Sequence, residues 1–216
     1  MTHVEAHDHT QSPGEELANS VSHAVGLAGT LVAGPVLIAS AIRHGGLGTI
    51  VGASIFVATA LLLYLFSTLY HAVRGNKAKR VFQVLDHAAI FLLIAGTYTP
   101  FTLGVLHGTW GWALLWTIWI LAAVGVALTA TGKLHSRLAS TALYVAMGWL
   151  MLAAVKPLWQ RMPAMGFLWL GLGGVAYTIG VPFFAAHRRY SHFIWHLFVI
   201  AGTACHFVAV MKYAAP

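Results

Sequence analysis

Charged side chains are scarce in this sequence, and their scarcity excludes an ordinary water-soluble domain. Only 8% of the 216 residues are charged, and 59% are hydrophobic. Typical globular chains contain roughly 25% charged residues. The length suits one domain, and we therefore expect residues 1–216 to form a single domain that is integral to a membrane.

Cysteine is scarce, and the N-terminal residues do not have the pattern of a leader. Cys205 is the only cysteine, so no intrachain disulfide can form. The first 15 residues have neither a basic n-region nor an apolar h-region, and we expect no cleaved secretory signal. We expect residues 1–15 to be a flexible polar tail instead, in which His3, His7 and His9 are solvated.

The excess of basic residues does not indicate a nucleic-acid partner. The formal net charge is +7, but the 12 lysines and arginines are scattered among the gaps between hydrophobic segments. A nucleic-acid-binding face would gather them in a stripe. We interpret them as topology signals and as contacts to membrane lipids.

The hydrophobic segments predict an all-α membrane protein with seven transmembrane helices. Crossing the hydrocarbon layer takes about 20 residues. Segments of that length lie at 20–42, 48–71, 82–105, 110–131, 137–156, 164–186 and 191–212. The fifth is short and is predicted to end at Lys156-Pro157.

Lysine and arginine predict the orientation of this bundle. Eight lie on the side of the N-terminus and four on the opposite side. The positive-inside rule therefore predicts a cytoplasmic N-terminus and, after seven crossings, a C-terminus outside.

Several polar residues are predicted to share one depth, near the cytoplasmic ends of their helices. His192 and His196 are four residues apart, so they lie on one face of the seventh helix and could grip one metal ion. His71 closes the second helix at the same level, and Ser67 precedes it by one turn. The alternative is that these histidines hydrogen-bond neighbouring helices.

Asp86 is the only carboxylate after the start of the first predicted helix. The other four acidic residues precede that helix. An ionised aspartate near a bilayer costs about 2.5 kcal/mol or more unless it is paired, so it marks a candidate functional site. The alternative is an interfacial salt bridge to Lys79 or Arg80.

Two further groups of polar residues are candidates for the surroundings of the site. Glu16, Asn19 and His23 share a face of the first helix at cytoplasmic depth. Asn19 or Ser20 could instead cap that helix. His206 lies on a similar face to His192 but too far along the helix to bind the same ion, so it could line a cavity or donate to a backbone carbonyl.

These motifs together resemble the progestin and adipoQ receptor superfamily. They are Glu16-x-x-Asn19-x-x-x-His23, Ser67-x-x-x-His71, Asp86 and His192-x-x-x-His196. The phrases RVFQVLDHAAIFLLIAGTYTPF and SHFIWHLFVIAGTACHF are most similar to its bacterial branch, the hemolysin III-like proteins. The long N-terminal domain of the animal receptors is lacking, so hormone binding does not carry over.

The resemblance implies a zinc site and a location in the bacterial inner membrane. One zinc ion with a bound water would be held by His71, His192 and His196, with Asp86 and Ser67 near the water. It also implies seven helices and a cytoplasmic N-terminus.

Three functions are compatible with these residues. An open three-histidine zinc site can activate water and polarise a carbonyl, so our first hypothesis is a hydrolase of a lipid amide or ester, with ceramidase-like chemistry implied only by the resemblance. The second is a receptor-like regulator of membrane lipid homeostasis in which zinc joins helices. The third is a pore-forming cytolysin, although a water-filled pore would need a polar stripe along the full helix length.

Overall fold

The computed structural model describes residues 11–134, 136–186 and 188–214, and these residues fold into a helical bundle. Its elements are α1 (Pro13–His44), α2 (Leu47–Ala72), α3 (Asn76–Leu103), α4 (Thr109–Ala130), α5 (Arg137–Trp149), a 3₁₀ segment (Leu150–Ala154), α6 (Val155–Arg161), α7 (Ala164–Ala185) and α8 (Ser191–Tyr213). Seven helical segments are long and apolar enough to cross a membrane, with α5, the 3₁₀ segment and α6 together forming the fifth. The predicted seven-helix architecture is confirmed.

Helix α1 starts earlier than its hydropathy predicts. Ser12 is the N-cap, and its hydroxyl accepts a hydrogen bond from the Glu15 N–H while the Glu15 carboxylate accepts one from the Ser12 N–H. Pro13 follows at the first helical position, where its missing N–H costs nothing. The end of the predicted tail is therefore helical, and the interpretation of Asn19 or Ser20 as the cap was wrong. Residues 1–10, with the three tail histidines, lie outside the described residues.

Helix α3 also starts before its predicted span. It begins at Asn76, so a basic turn containing Lys77, Lys79 and Arg80 precedes the apolar part of the helix. Hydropathy misses this turn because it is charged, although nothing in it breaks a helix. The early start matters for the site, because it carries Lys79 toward α1.

The fifth span does not end at Lys156-Pro157. Before these residues it changes from α-helix to 3₁₀ helix, and it then continues as α-helix. After Trp149 the chain continues as a 3₁₀ segment and then as α6, which runs to Arg161. Pro157 lies in the first turn of α6, where a proline removes no helical hydrogen bond. The proline is therefore compatible with a continuous span, and the predicted boundary was wrong.

Small residues let the helices approach closely. A Cβ on Gly52 of α2 would lie 2.5 Å from the Cα of Pro100 in α3, and one on Gly26 of α1 would lie 2.7 Å from the Tyr64 ring of α2. Such contacts are typical of membrane helix packing, where van der Waals fit replaces the hydrophobic effect between helices. They hold α1, α2 and α3 together as one side of the bundle.

The last helix closes the bundle. Helix α8 packs against both α7 and α1, so its N-terminal turns face the N-terminal part of α1 and the end of α2. The described ends of the chain lie at opposite faces of the bundle, because the number of spans is odd. Which face is cytoplasmic stays a prediction from the charge distribution.

Candidate metal centre and its cavity

Three histidines from two helices meet at one end of the bundle. His71 comes from the last turn of α2, and His192 and His196 come from the first turns of α8. Each offers one ligand nitrogen, and these atoms all lie within 4.8 Å of one another. His71 and His196 are buried. The structure thus brings together the three histidines that the sequence predicts to lie at one depth.

The proton of His71 is positioned by Glu16. The Nδ1 atom of His71 lies 2.6 Å from a Glu16 carboxylate oxygen, and the other oxygen of that carboxylate accepts a hydrogen bond from the Lys79 ammonium, also at 2.6 Å. A carboxylate accepts, so His71 Nδ1–H donates. The neutral ring therefore keeps a lone pair on Nε2, as in the carboxylate–histidine arrangements that orient metal ligands.

The proton of His196 is positioned by residues of α1 as well. Its Nδ1 lies 3.2 Å from the Asn19 carbonyl oxygen and 3.0 Å from the Ser22 hydroxyl. The Ser22 hydroxyl donates to that same carbonyl at 2.8 Å. Since the carbonyl can only accept, His196 Nδ1 carries the proton, and Nε2 is left with the lone pair.

Two nitrogens of the cluster are buried without a hydrogen-bond partner among the described residues. They are Nε2 of His71 and Nε2 of His192. An unsatisfied polar atom in an apolar interior costs about 1–3 kcal/mol, and a metal ion would satisfy both. Three imidazole nitrogens, of which those of His71 and His196 have preset lone pairs, are a donor set that suits a divalent ion such as zinc.

Asp86 lies in the wall of the adjoining cavity and forms no salt bridge with the residues that the structure describes. It is 6% exposed, and it lines the cavity together with Ser67, His192 and His196. The ion pairs found among the described residues join Glu16 to His71 and to Lys79. The alternative pairing of Asp86 with Lys79 or Arg80 was therefore wrong. Ser67 is completely buried next to Asp86.

Asp86 is nonetheless not the only carboxylate near the cluster. Because α1 begins at Pro13, Glu15 and Glu16 belong to its first turn. Glu16 reaches the cluster through His71, whereas Glu15 accepts a hydrogen bond from the Tyr190 N–H at 2.9 Å. The expectation that every other acidic residue precedes the helical body was wrong.

His23 and Asn19 surround the cluster from α1. The His23 ring stacks on the His196 ring with centroids 3.5 Å apart and planes inclined by 11°. Neither ring nitrogen of His23 has a hydrogen-bond partner among the described residues. Asn19 is fully buried and donates its amide to the Gln11 side chain at 2.7 Å.

A largely apolar cavity of about 220 Å³ extends from the cluster into the bundle. Its walls come from all the spans except the fourth. Leu63, Leu93, Val199 and Phe167 are among its apolar residues. His206 also lines it, about three turns of α8 beyond His196, and is therefore not part of the cluster.

Sequence reasoning missed Ser22 and Gln11, and it considered Lys79 only as a partner of Asp86. Ser22 contacts His196 directly, Lys79 acts on His71 through Glu16, and Gln11 holds Asn19. The pairing of Lys79 with Glu16 could have been found by asking which basic residue matches Glu16 in depth. Ser22 gave no separate signal, because a serine beside a histidine is ordinary in a helix.

Fold and site together define a class: a seven-span integral membrane protein with a buried three-histidine group that could hold a metal ion. The family model for Haemolysin-III related proteins matches residues 12–207. The chain belongs to this family, and the predicted resemblance to its bacterial branch is confirmed.

Individual relatives agree with this assignment. The chain is 42% identical over 208 residues to "Hemolysin-3" of Bacillus cereus, covering 96% of this chain and 95% of the relative. It is 42% identical over 200 residues to "Hemolysin-3 homolog" of Bacillus subtilis (strain 168), covering 92% and 94%. It is 28% identical over 158 residues to "Monocyte to macrophage differentiation factor" of Homo sapiens, covering 70% and 65%. With seven apolar helices, the bacterial relatives support a multi-pass protein of the bacterial plasma membrane.

Proposed function

We propose that this protein is a metal-dependent hydrolase that cleaves an amide or ester bond of a membrane lipid. The observation that carries the proposal is the position of the unpaired histidine nitrogens. They lie at one end of an apolar cavity whose wall also contains a buried carboxylate. A site that only joined helices would need neither the cavity nor the carboxylate.

The roles of the residues follow from their chemistry. His71, His192 and His196 would hold the ion, which we propose to be zinc; when bound it would polarise a substrate carbonyl and acidify a water. The Asp86 carboxylate would accept a proton from the attacking water and pass it to the leaving group. The Ser67 hydroxyl, which is buried beside Asp86, would orient that carboxylate.

The cavity supplies the substrate preference. Its apolar walls would accommodate an acyl chain, and its polar end would then place the amide or ester beside Asp86. A lipid would reach the reacting groups without leaving the bilayer. Membrane lipids are thus the proposed substrates and partners.

Replacing Asp86 with asparagine tests catalysis separately from metal binding. The amide side chain would fill the same space as the carboxylate but could not accept the proton, and general-base catalysis contributes typically 10²–10⁴-fold. For Asp86→Asn we expect unchanged metal content and at least a hundredfold loss of turnover on lipid amides or esters. Metal analysis and product release by mass spectrometry, both on purified protein, measure the two quantities.

Glu15→Gln is the matched control, because Glu15 is a carboxylate outside the cavity. It should keep both metal and turnover. Wild-type protein that turns over no lipid amide or ester in a zinc-dependent manner would overturn the hydrolase proposal.

A helix-joining role for the metal is the second candidate, since the cluster and its hydrogen-bond partners connect α1, α2 and α8. It predicts that His71→Ala unfolds the bundle while Asp86→Asn leaves cellular function intact. The name hemolysin-3 carried by the bacterial relatives raises a pore as the third candidate. Conductance in planar bilayers that persists after replacement of His192 and His196 would favour it.

A further inference from the structure

The end of the cavity remote from the histidine cluster contains a second polar position. His206 lies about 15 Å beyond His196 along α8 and lines the same cavity. Its side chain is deeply buried, since the residue is only 6% exposed. A buried imidazole at this depth needs hydrogen-bond partners for both nitrogens.

Among the described residues, one nitrogen of His206 has such a partner and the other has none. Nε2 lies 3.2 Å from the carbonyl oxygen of Leu170 in α7. A carbonyl accepts, so Nε2 carries the proton, and the neutral ring has its lone pair on Nδ1. Nδ1 is buried and has no hydrogen-bond partner within the part of the chain that the structure describes.

The ring orientation directs Nδ1 away from α7. A Cβ on Gly173 would overlap Cδ2 and Nε2 of His206, so this edge of the ring rests against α7. Nδ1 is the corner opposite that edge. It therefore faces away from α7, and His206 is one of the residues that line the cavity.

The neighbouring hydroxyls cannot satisfy Nδ1. Thr203 uses its proton in a hydrogen bond to the Val199 carbonyl at 2.9 Å. Tyr177, whose ring lies 5.5 Å from that of His206, must then donate its own proton to the Thr203 hydroxyl at 2.8 Å. No group among the described residues donates to Nδ1, so an occupant of the cavity is the remaining source of a donor.

We propose that His206 is a specificity-determining residue that accepts a hydrogen bond from a hydroxyl group on the acyl chain of the lipid. The proposal rests on the proposed function, because it takes the cavity to be the acyl site. An extended acyl chain with C–C bonds of about 1.5 Å zigzags and advances only about 1.25 Å per carbon. A distance of about 15 Å therefore corresponds to roughly 12 carbons from the reacting carbonyl. The preferred substrate class is therefore a lipid whose fatty acyl chain is hydroxylated near its middle.

Binding of paired fatty acids to the full-length protein in detergent tests this proposal without any turnover. The probes are octadecanoic acid, the same acid with a hydroxyl on its twelfth carbon, and the same acid with a hydroxyl on its second carbon. We expect the mid-chain hydroxyl to improve affinity by about tenfold, as one buried hydrogen bond would. The hydroxyl on the second carbon should bring no comparable gain.

Two variants localise the effect. His206→Phe keeps a ring against Gly173 but removes the acceptor, and His206→Gln keeps a donor for the Leu170 carbonyl while displacing the acceptor. In both variants, octadecanoic acid should still bind. The ratio of the affinity for the mid-chain hydroxylated acid to that for octadecanoic acid should fall to about one. The second variant keeps the test valid if the phenylalanine variant does not fold.

The outcomes separate this proposal from the proposed function. Equal affinity of wild-type protein for the plain and mid-chain hydroxylated acids, or an unchanged preference in the His206 variants, would overturn the subsite alone. Failure of all three acids to bind would overturn the acyl cavity, and the subsite with it.

Discussion

His71 and His196 each have a ring proton on the nitrogen that faces α1, so their lone pairs face the cluster. Glu16 and the Asn19 carbonyl thereby act on the ligands without touching the ion site themselves. Lys79 in turn holds the Glu16 carboxylate in place. The metal affinity of the site should therefore depend on residues of α1 that are not ligands.

Removing the Glu16 carboxylate should weaken metal binding. Glu16→Ala leaves the His71 Nδ1 proton without its acceptor, and loss of such a partner typically costs 10–100-fold in metal affinity. Zinc titration of the metal-stripped protein against a competing chelator measures this change.

Glu15→Ala is the matched control, because the neighbouring carboxylate caps α1 and binds the Tyr190 N–H but contacts no ligand. It should lower stability slightly, because the capping box loses its carboxylate, and it should leave zinc affinity unchanged. Equal zinc affinity of the Glu16→Ala variant and the wild type would contradict the role assigned to Glu16.

Sequence reasoning could bring the ligand residues together but not their partners. The grouping of His71, His192 and His196 could be predicted, because helix periodicity and hydropathy together assign a helix face and a depth to each residue. The contacts of Ser22 with His196 and of Lys79 with Glu16 depend on how α1 is rotated against α8 and α3. That rotation is set by packing, and a single sequence does not reveal it.

At the scale of the helices, the apolar cores of the spans could be predicted and their polar ends could not. The first turns of α1 and α3 are polar, so a hydropathy criterion excludes them although Ser12 and Glu15 form a capping box. The 3₁₀ segment after Trp149 leaves no signal in hydropathy, because it is as apolar as its neighbours. Both the first turn of α1 and the 3₁₀ segment contribute to the site. The first turn of α1 supplies Glu16, and the 3₁₀ segment forms part of the cavity wall.

Glycine contacts between α2 and α3 should be sensitive to a single methyl group. In Gly52→Ala the new Cβ would meet backbone atoms of Pro100 at 2.5 and 2.9 Å, which cannot move aside as a side chain could. Overpacking of this kind typically costs about 1–3 kcal/mol. Thermal unfolding of the purified protein in detergent measures the loss.

Gly29→Ala provides the comparison within the same bundle, since a Cβ there meets nothing within 4 Å. Alanine is favoured over glycine in a helix by about 0.8–1 kcal/mol, so this variant should be as stable as wild type or more stable. If Gly52→Ala proves as stable as Gly29→Ala, α2 and α3 do not approach each other as closely as described.

At the scale of the whole molecule, the charge distribution predicts how the bundle sits in the membrane. Lys77, Lys79, Arg80, Arg188 and Arg189 lie at the same end of the bundle as the histidine cluster. The positive-inside rule therefore predicts that the cluster faces the cytoplasm.

Reporter fusions at the C-terminus test this orientation. A reporter enzyme that folds only after export should be active there, and a reporter that fluoresces only in the cytoplasm should be dark. The opposite pattern would place the cluster at the outer face and would require substrates from the outer leaflet.

The closing of the bundle by α8 against α1 sets a condition on biosynthesis. His71 emerges from the ribosome early, whereas His192 and His196 belong to the last span to be made. A nascent chain therefore has no complete ion-binding group until its final helix has entered the bilayer and met the first one. Capture of the ion would then mark the end of assembly, and a chain truncated before α8 would be unable to reach that stage.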